Sequence, residues 1–214
     1  MSDAPPPGDD VFSEADLAPP DWEVRAQRRA RIDRFATTVA VIALGLWGGG
    51  LIALGACAAP LVFGLTPYPF SADAMGAVFA RFDKIAVVAA IVVLGCEVVR
   101  SLLDTKRMGM PRRVRLLARA RRYLTMLAAL LSIYGATQLT PEILRLHHAD
   151  VRRGVGPDGE LLEQLHRRAE LVGKAVVPLA ALLIGLHVAT VRSARDEEEE
   201  EGETAAPLPP GPRI

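Results

Sequence analysis

Four long apolar runs, residues 36–64, 84–103, 123–140 and 172–191, constrain this chain more than any other feature. The hydrocarbon core of a bilayer is about 30 Å thick, and a helix needs roughly 20 apolar residues to cross it. Each run approaches or exceeds that length. The sequence therefore predicts an all-α protein, a four-span transmembrane helical bundle with short amphipathic helices in the external loops. In lipid a polar side chain inside a run needs a partner, whereas an exposed leucine needs no explanation.

Half of the residues are hydrophobic and the formal net charge is zero. That neutrality hides segregation, because the runs hold few charges and the ends and connections hold most of them. One transmembrane domain is expected over residues 21–194. Residues 1–20, rich in Pro and Asp, and residues 195–214, with the acidic run at 196–201, are expected to be disordered. The first 20 residues lack the basic start and short apolar stretch of a signal peptide, so the first run reads as a retained anchor. Cys57 and Cys96 fall at different depths of their runs, which points to two free thiols rather than a bridge.

Basic residues set the expected orientation. Arg25, Arg28, Arg29, Arg31 and Arg34 precede the first run. Lys106, Arg107, Arg112, Arg113, Arg115, Arg119, Arg121 and Arg122 lie between the second and third, with Arg100 at the edge, and Arg192 and Arg195 follow the fourth. The positive-inside rule then places both termini in the cytoplasm of a bacterial inner membrane. Anionic lipid headgroups are the expected partner of the basic loop, and nucleic acid is not.

Small residues recur along the first run, at Gly45, Gly48, Gly49, Ala53 and Ala56. Helices in lipid are held together by close backbone approach, so this run is expected to be the packing helix, or the face of a homo-oligomer. Pro60 is expected to kink or end it. Residues 72–82 and 159–171 show helical apolar spacing; the first is expected to lie at the outer surface before the second run, and the second to feed directly into the fourth. Thr140-Pro141-Glu142 reads either as a helix start or as a kink in a helix reaching Asp150.

Two intramembrane polar residues are the candidates for chemistry. Glu97 is the one carboxylate within a run, and an ionisable group there is normally paired or functional. His187 lies in the fourth run at a similar depth. Together they form a possible proton-relaying or cation-binding pair. The plainer readings are that Glu97 pairs with Arg100 one turn away, and that His187 donates to a carbonyl. A second, external polar cluster is expected from Gln138, Thr140, Glu163, His166 and Glu170, with Glu142, His147, His148 and Asp150 nearby. The His147-His148 and His166 spacing matches no metal motif, and Arg167 and Arg168 would repel a cation, so no metal is assigned. No phosphate-binding loop, nucleophile elbow or zinc-protease motif is present, which argues against an enzyme.

Four segments resemble the transmembrane protein 205-like family, a membrane domain of unknown function in bacteria. They are Trp47-Gly48-Gly49-Gly50 through Ala59-Pro60-Leu61-Val62-Phe63, Ala74 to Phe82, Tyr134 to Gln138 with Thr140-Pro141, and Leu165-His166-Arg167-Arg168-Ala169-Glu170. Their order and spacing cover about residues 35–192. Relatives often carry serine where this chain has Ala169. The resemblance implies a four-helix membrane bundle and no settled activity. A more distant similarity to copper-resistance D-type and haem-linked membrane proteins would point to His166 and His187.

The resulting expectation is a non-catalytic structural or accessory membrane component without a cofactor. The alternatives are a small transporter or metal- or proton-handling protein using Glu97 and His187, and a haem- or metal-dependent membrane protein.

Overall fold

A computed structural model describes residues 19–67, 69–104 and 112–191. The expected disorder of the two tails concerns residues that lie outside these, apart from Pro19 and Pro20. Every regular element among the described residues is helical. The described residues form four rods. The first comprises α1 (Asp21–Ile52), a π-helical segment (Ala53–Ala58) and α2 (Ala59–Leu65). The second is α3 (Phe70–Asp104). The third comprises α4 (Arg112–Tyr134), a π-helical segment (Gly135–Leu139) and α5 (Thr140–His148), and the fourth is α6 (Gly156–Ala189).

The chain divides into two units, and residues 33–191 make up the larger one. The described part of the smaller unit is the start of α1, whose first turn carries Asp21 and Glu23. Acidic groups there complement the exposed N–H groups of the helix start, and Gln27 donates to Glu23 one turn on.

Within the larger unit the four rods share a main apolar core, and Leu139, Leu146, Leu162 and Leu165 form a smaller one. Ala43, Leu44 and Trp47 of α1, Phe82, Ala86, Ala89, Ala90 and Val93 of α3, Ala128 and Ala129 of α4, and Val176, Ala180 and Leu183 of α6 are all buried in the main core. Spacings of three and four put each set on one helical face. Alanine dominates, and such small side chains let the backbones approach closely.

Three of the rods, Asp21–Leu65, Phe70–Asp104 and Gly156–Ala189, are long and apolar enough to cross a membrane. Only 28%, 33% and 22% of their most apolar windows are buried inside the protein. Most of that apolar surface faces outward, as in a protein solvated by lipid and unlike a water-soluble bundle. The third rod, expected to span at 123–140, is not among them. Thr125, Ser132, Thr137 and Gln138 dilute its apolar run, and Thr125 and Ser132 are buried.

Several boundaries differ from the sequence expectation. Residues 72–82 are the first turns of α3 rather than a separate surface segment, because Met75 and Phe82 are buried and continue the apolar face of that helix. The arginines from Arg112 to Arg122 belong to α4 rather than to a loop, while Lys106 and Arg107 lie outside the described residues. Residues 159–171 do feed directly into the fourth run, as expected, because both lie within α6 (Gly156–Ala189). Pro60 does not end the first rod. A proline removes one backbone donor and crowds the preceding turn, and a widened π-helical turn accommodates both. The same device precedes Pro141, so Thr140-Pro141 lies inside a continuous rod and the Thr140 side chain caps nothing.

The small-residue stripe faces the wrong way for bundle packing. Gly45, Gly49, Ala53, Ala56 and Pro60 are exposed, and a Cβ at Gly45 or Gly49 would meet nothing. The close approaches are made by their neighbours instead. A Cβ on buried Gly48 would lie 3.0 Å from the Ala180 Cβ, and one on Gly50 would overlap the Phe82 ring. At 100° per residue, the face through Gly45 and Gly49 differs from the face through Leu44, Trp47 and Gly48, which the other helices cover.

Candidate functional site

At one end of the apolar core the same helical faces turn polar. On α3 the stripe Ala86, Ala90, Val93 continues into Glu97, Arg100 and Asp104. On α4 the stripe Ala128, Thr125 leads back to Arg121, and on α6 the stripe Val176, Ala180, Leu183 leads to His187 and Thr190. On α1 Trp47, Leu44 and Ala40 lead back to Thr37 and Asp33. Asp33 and Arg121 precede their apolar stripes, whereas Glu97 and His187 follow theirs. Successive rods therefore run antiparallel, and all four deliver polar groups to one layer.

Two arginines organise that layer. Arg121 of α4 donates from Nε to Glu97 Oε2 of α3 at 2.7 Å and from Nη2 to Glu97 Oε1 at 3.3 Å. Its Nη2 also lies 3.5 Å from Asp104 Oδ2, and its Nη1 donates to the Thr190 hydroxyl of α6. Arg100 of α3 makes a second fork to α1, with Nε 2.7 Å from Asp33 Oδ1 and Nη2 3.3 Å from Asp33 Oδ2. Planar guanidinium matches carboxylate in this two-pronged way, and lysine cannot. Both ion pairs are almost wholly removed from solvent. Arg122, more exposed, places Nε 3.9 Å from Glu97 Oε1, and Ser101 donates to Glu97 at 3.4 Å.

Arg100 also closes the end of α6. It donates to the carbonyl oxygens of Thr190 at 2.6 Å and His187 at 3.4 Å. The last carbonyls of a helix have no partner within it and carry partial negative charge, so a buried cation there satisfies them. Arg100 Nη1 lies 3.0 Å from His187 Nδ1. Guanidinium only donates, so Nδ1 accepts and a neutral His187 carries its proton on Nε2. That Nε2 is buried and has no hydrogen-bond partner among the described residues, as is the Thr37 hydroxyl.

Glu97 and His187 therefore do not meet as a pair. They belong to one layer, but each is bonded to a different arginine. Glu97 does not bond Arg100 one turn away either. It reaches Arg121 across the helix interface, where a fork to a second helix can form. Sequence alone does not mark Asp33, Arg121 or Thr190 as buried partners. Arg121 reads there as part of a basic loop, although its spacing to Thr125, Ala128 and Ser132 marks the buried face. Asp33, the lone acid among the arginines from Arg25 to Arg34, was the other available signal.

The external polar cluster resolves into separate contacts. Thr140 donates to Asp83 of α3. Glu163 bonds Arg153 and Arg167, and Glu170 bonds Lys174. His166 Nδ1 lies 3.2 Å from the Leu162 carbonyl, and its ring meets that of His147 edge-on at 5.5 Å. Gln138 is exposed. His147, His148, Asp73 and Asp150 line a shallow depression of about 240 Å³. No group of three or more His, Cys, Asp or Glu with metal-binding geometry occurs among the described residues. Both cysteines are free, Cys57 exposed and Cys96 half-buried.

The sequence matches the family described as a domain of unknown function (DUF4149) over residues 42–151, just over half of the chain. The chain belongs to this family. The matched region contains the Glu97–Arg121 ion pair, Arg100 and the Asp83–Thr140 bond, whereas Asp33, His187 and Thr190 lie outside it. No curated protein matches the chain, and no solved structure does.

Proposed function

We propose that this DUF4149 chain is a non-catalytic structural or accessory component of a membrane. In this reading its ionic layer is a clamp that fixes the register of four helices. The observation that carries this reading is the use of the two buried guanidinium groups. Each fork joins two helices, and both groups also bond α6. An ionisable layer built for transport needs groups that exchange protons or release an ion. Here Glu97 and His187 are joined through two guanidinium groups and the Thr190 hydroxyl, and a guanidinium only donates. The order of segments that resembles the transmembrane protein 205-like family, with its unsettled activity, agrees with this reading. So does a bacterial inner membrane with both termini cytoplasmic, on the arginine distribution.

Proton and monovalent-cation flux into proteoliposomes tests it. The expected result is flux at the level of protein-free vesicles for the wild type. A flux that Glu97→Gln or His187→Gln abolishes, with the variants still folded, would replace the clamp by a transporter.

A further inference from the structure

The outward face of α4 changes character along its length. Leu116, Tyr123 and Leu130 are seven residues apart, and so are Arg112, Arg119 and Met126. A seven-residue step returns to within about 20° on an α-helix, so both series lie on one side. The buried residues Ala118, Arg121, Thr125, Ala128 and Ser132 occupy the other side. Tyr123, Met126 and Leu130 are exposed, at 67%, 49% and 63%, in a bundle whose apolar surface faces outward. Arg112, Arg115 and Arg119 are exposed directly before them on the same side. At about 1.5 Å rise per residue, Arg119 stands only about 6 Å along the axis from Tyr123. An amphipathic tyrosine at such a junction sits where hydrocarbon meets headgroup.

We propose that this face of α4 binds an anionic phospholipid. Arg119 takes the phosphate in the bidentate manner of guanidinium, and Arg112 and Arg115 add positive charge beside it. The acyl chains lie along Tyr123, Met126 and Leu130. Charge complementarity selects the occupant. A zwitterionic lipid offers these arginines no net charge, and a soluble anion leaves the apolar half of the face uncovered. The site rests on the chain being embedded in a membrane, and retention of the wild type in carbonate-washed membranes tests that premise separately.

Native mass spectrometry of the full chain in detergent, titrated with phosphatidylglycerol or phosphatidylcholine of the same acyl composition, tests the site. The wild type should retain the anionic lipid about tenfold more than the zwitterionic one. R112Q/R115Q/R119Q should bring the two within about twofold, since each surface arginine contributes several-fold to anionic-lipid binding. The triple variant leaves the buried face of α4 intact, and an unchanged melting temperature shows that it folds. R167Q/R168Q, at exposed arginines of α6, removes charge elsewhere and should keep the preference. Equal retention of both lipids by the wild type, or an equal loss in the control variant, overturns the proposal. Displacement of the lipid by inorganic phosphate at matched concentration also overturns it, because the arginines would then be taking up free anions.

Discussion

Arg121 Nε lies 2.7 Å from Glu97 Oε2, joining the third rod to the second through a pair that solvent barely reaches. Removing one member of such a pair leaves a buried charge uncompensated, and this costs about 3–5 kcal/mol. Glu97→Leu and Arg121→Met should each lower the unfolding free energy in detergent by that order. The double variant should recover much of the loss, because apolar residues of similar volume require no desolvation of charge. Equilibrium denaturation of the four proteins gives the coupling directly. Additive losses would remove the pair from the account of stability.

Arg100 predicts a more local effect. Arg100→Lys keeps the charge but cannot hold Asp33 in a fork while donating to the Thr190 carbonyl. The last turn of α6 should fray. Hydrogen exchange should rise at residues 186–190 while the middle of the helix stays protected.

The glycines of the first rod separate by side. Gly50→Ala places a methyl group into the Phe82 ring, and Gly48→Val adds bulk beyond a position already 3.0 Å from Ala180. Overpacking of this kind costs about 1–3 kcal/mol. Gly45→Ala and Gly49→Ala meet nothing and should be neutral or slightly stabilising, since alanine is the better helix former. Thermal unfolding of the four variants distinguishes the two faces.

His147 on α5 gives a pH dependence at the opposite end of the bundle. Burial, as the main cause, holds its imidazole below the ordinary 6.5, and His148 adds to this while Asp73 opposes it. The folded protein thus takes up this proton less readily than the unfolded chain. The stability this difference contributes is whole above pH 6.5 and is lost as the pH falls below it, toward the lower folded value. The melting temperature should drop between about pH 7.5 and about pH 5.5. His147→Asn should make that drop shallower than in the wild type, and equal slopes would refute the assignment.

The helices were legible because apolar run length and helical spacing are local signals. Met75, Phe82, Leu162 and Leu165 could be placed on helices from their spacing alone. Glu97 and His187 stood out because a polar group inside an apolar run is unusual. Their true partners did not stand out, since Asp33 and Arg121 lie in stretches rich in arginine where one more charge draws no notice. Which charge is buried depends on which face another helix covers. For Gly45 and Gly49 the small-residue pattern was real, but a stripe does not state which side the neighbours occupy. The third run is less apolar than the other three because it includes Thr125 and Ser132, which face the bundle.

The π-helical segments before Pro60 and Pro141 each behave as one residue inserted into an α-helix. The widened turn absorbs that residue, so the stretch beyond it keeps its face instead of turning by about 100°. Asp33 precedes the segment in the first rod and Arg121 the segment in the third, so neither insertion touches the ionic layer. One end of the bundle is thus locked by charge, while the other takes up a change in chain length without re-aiming its side chains.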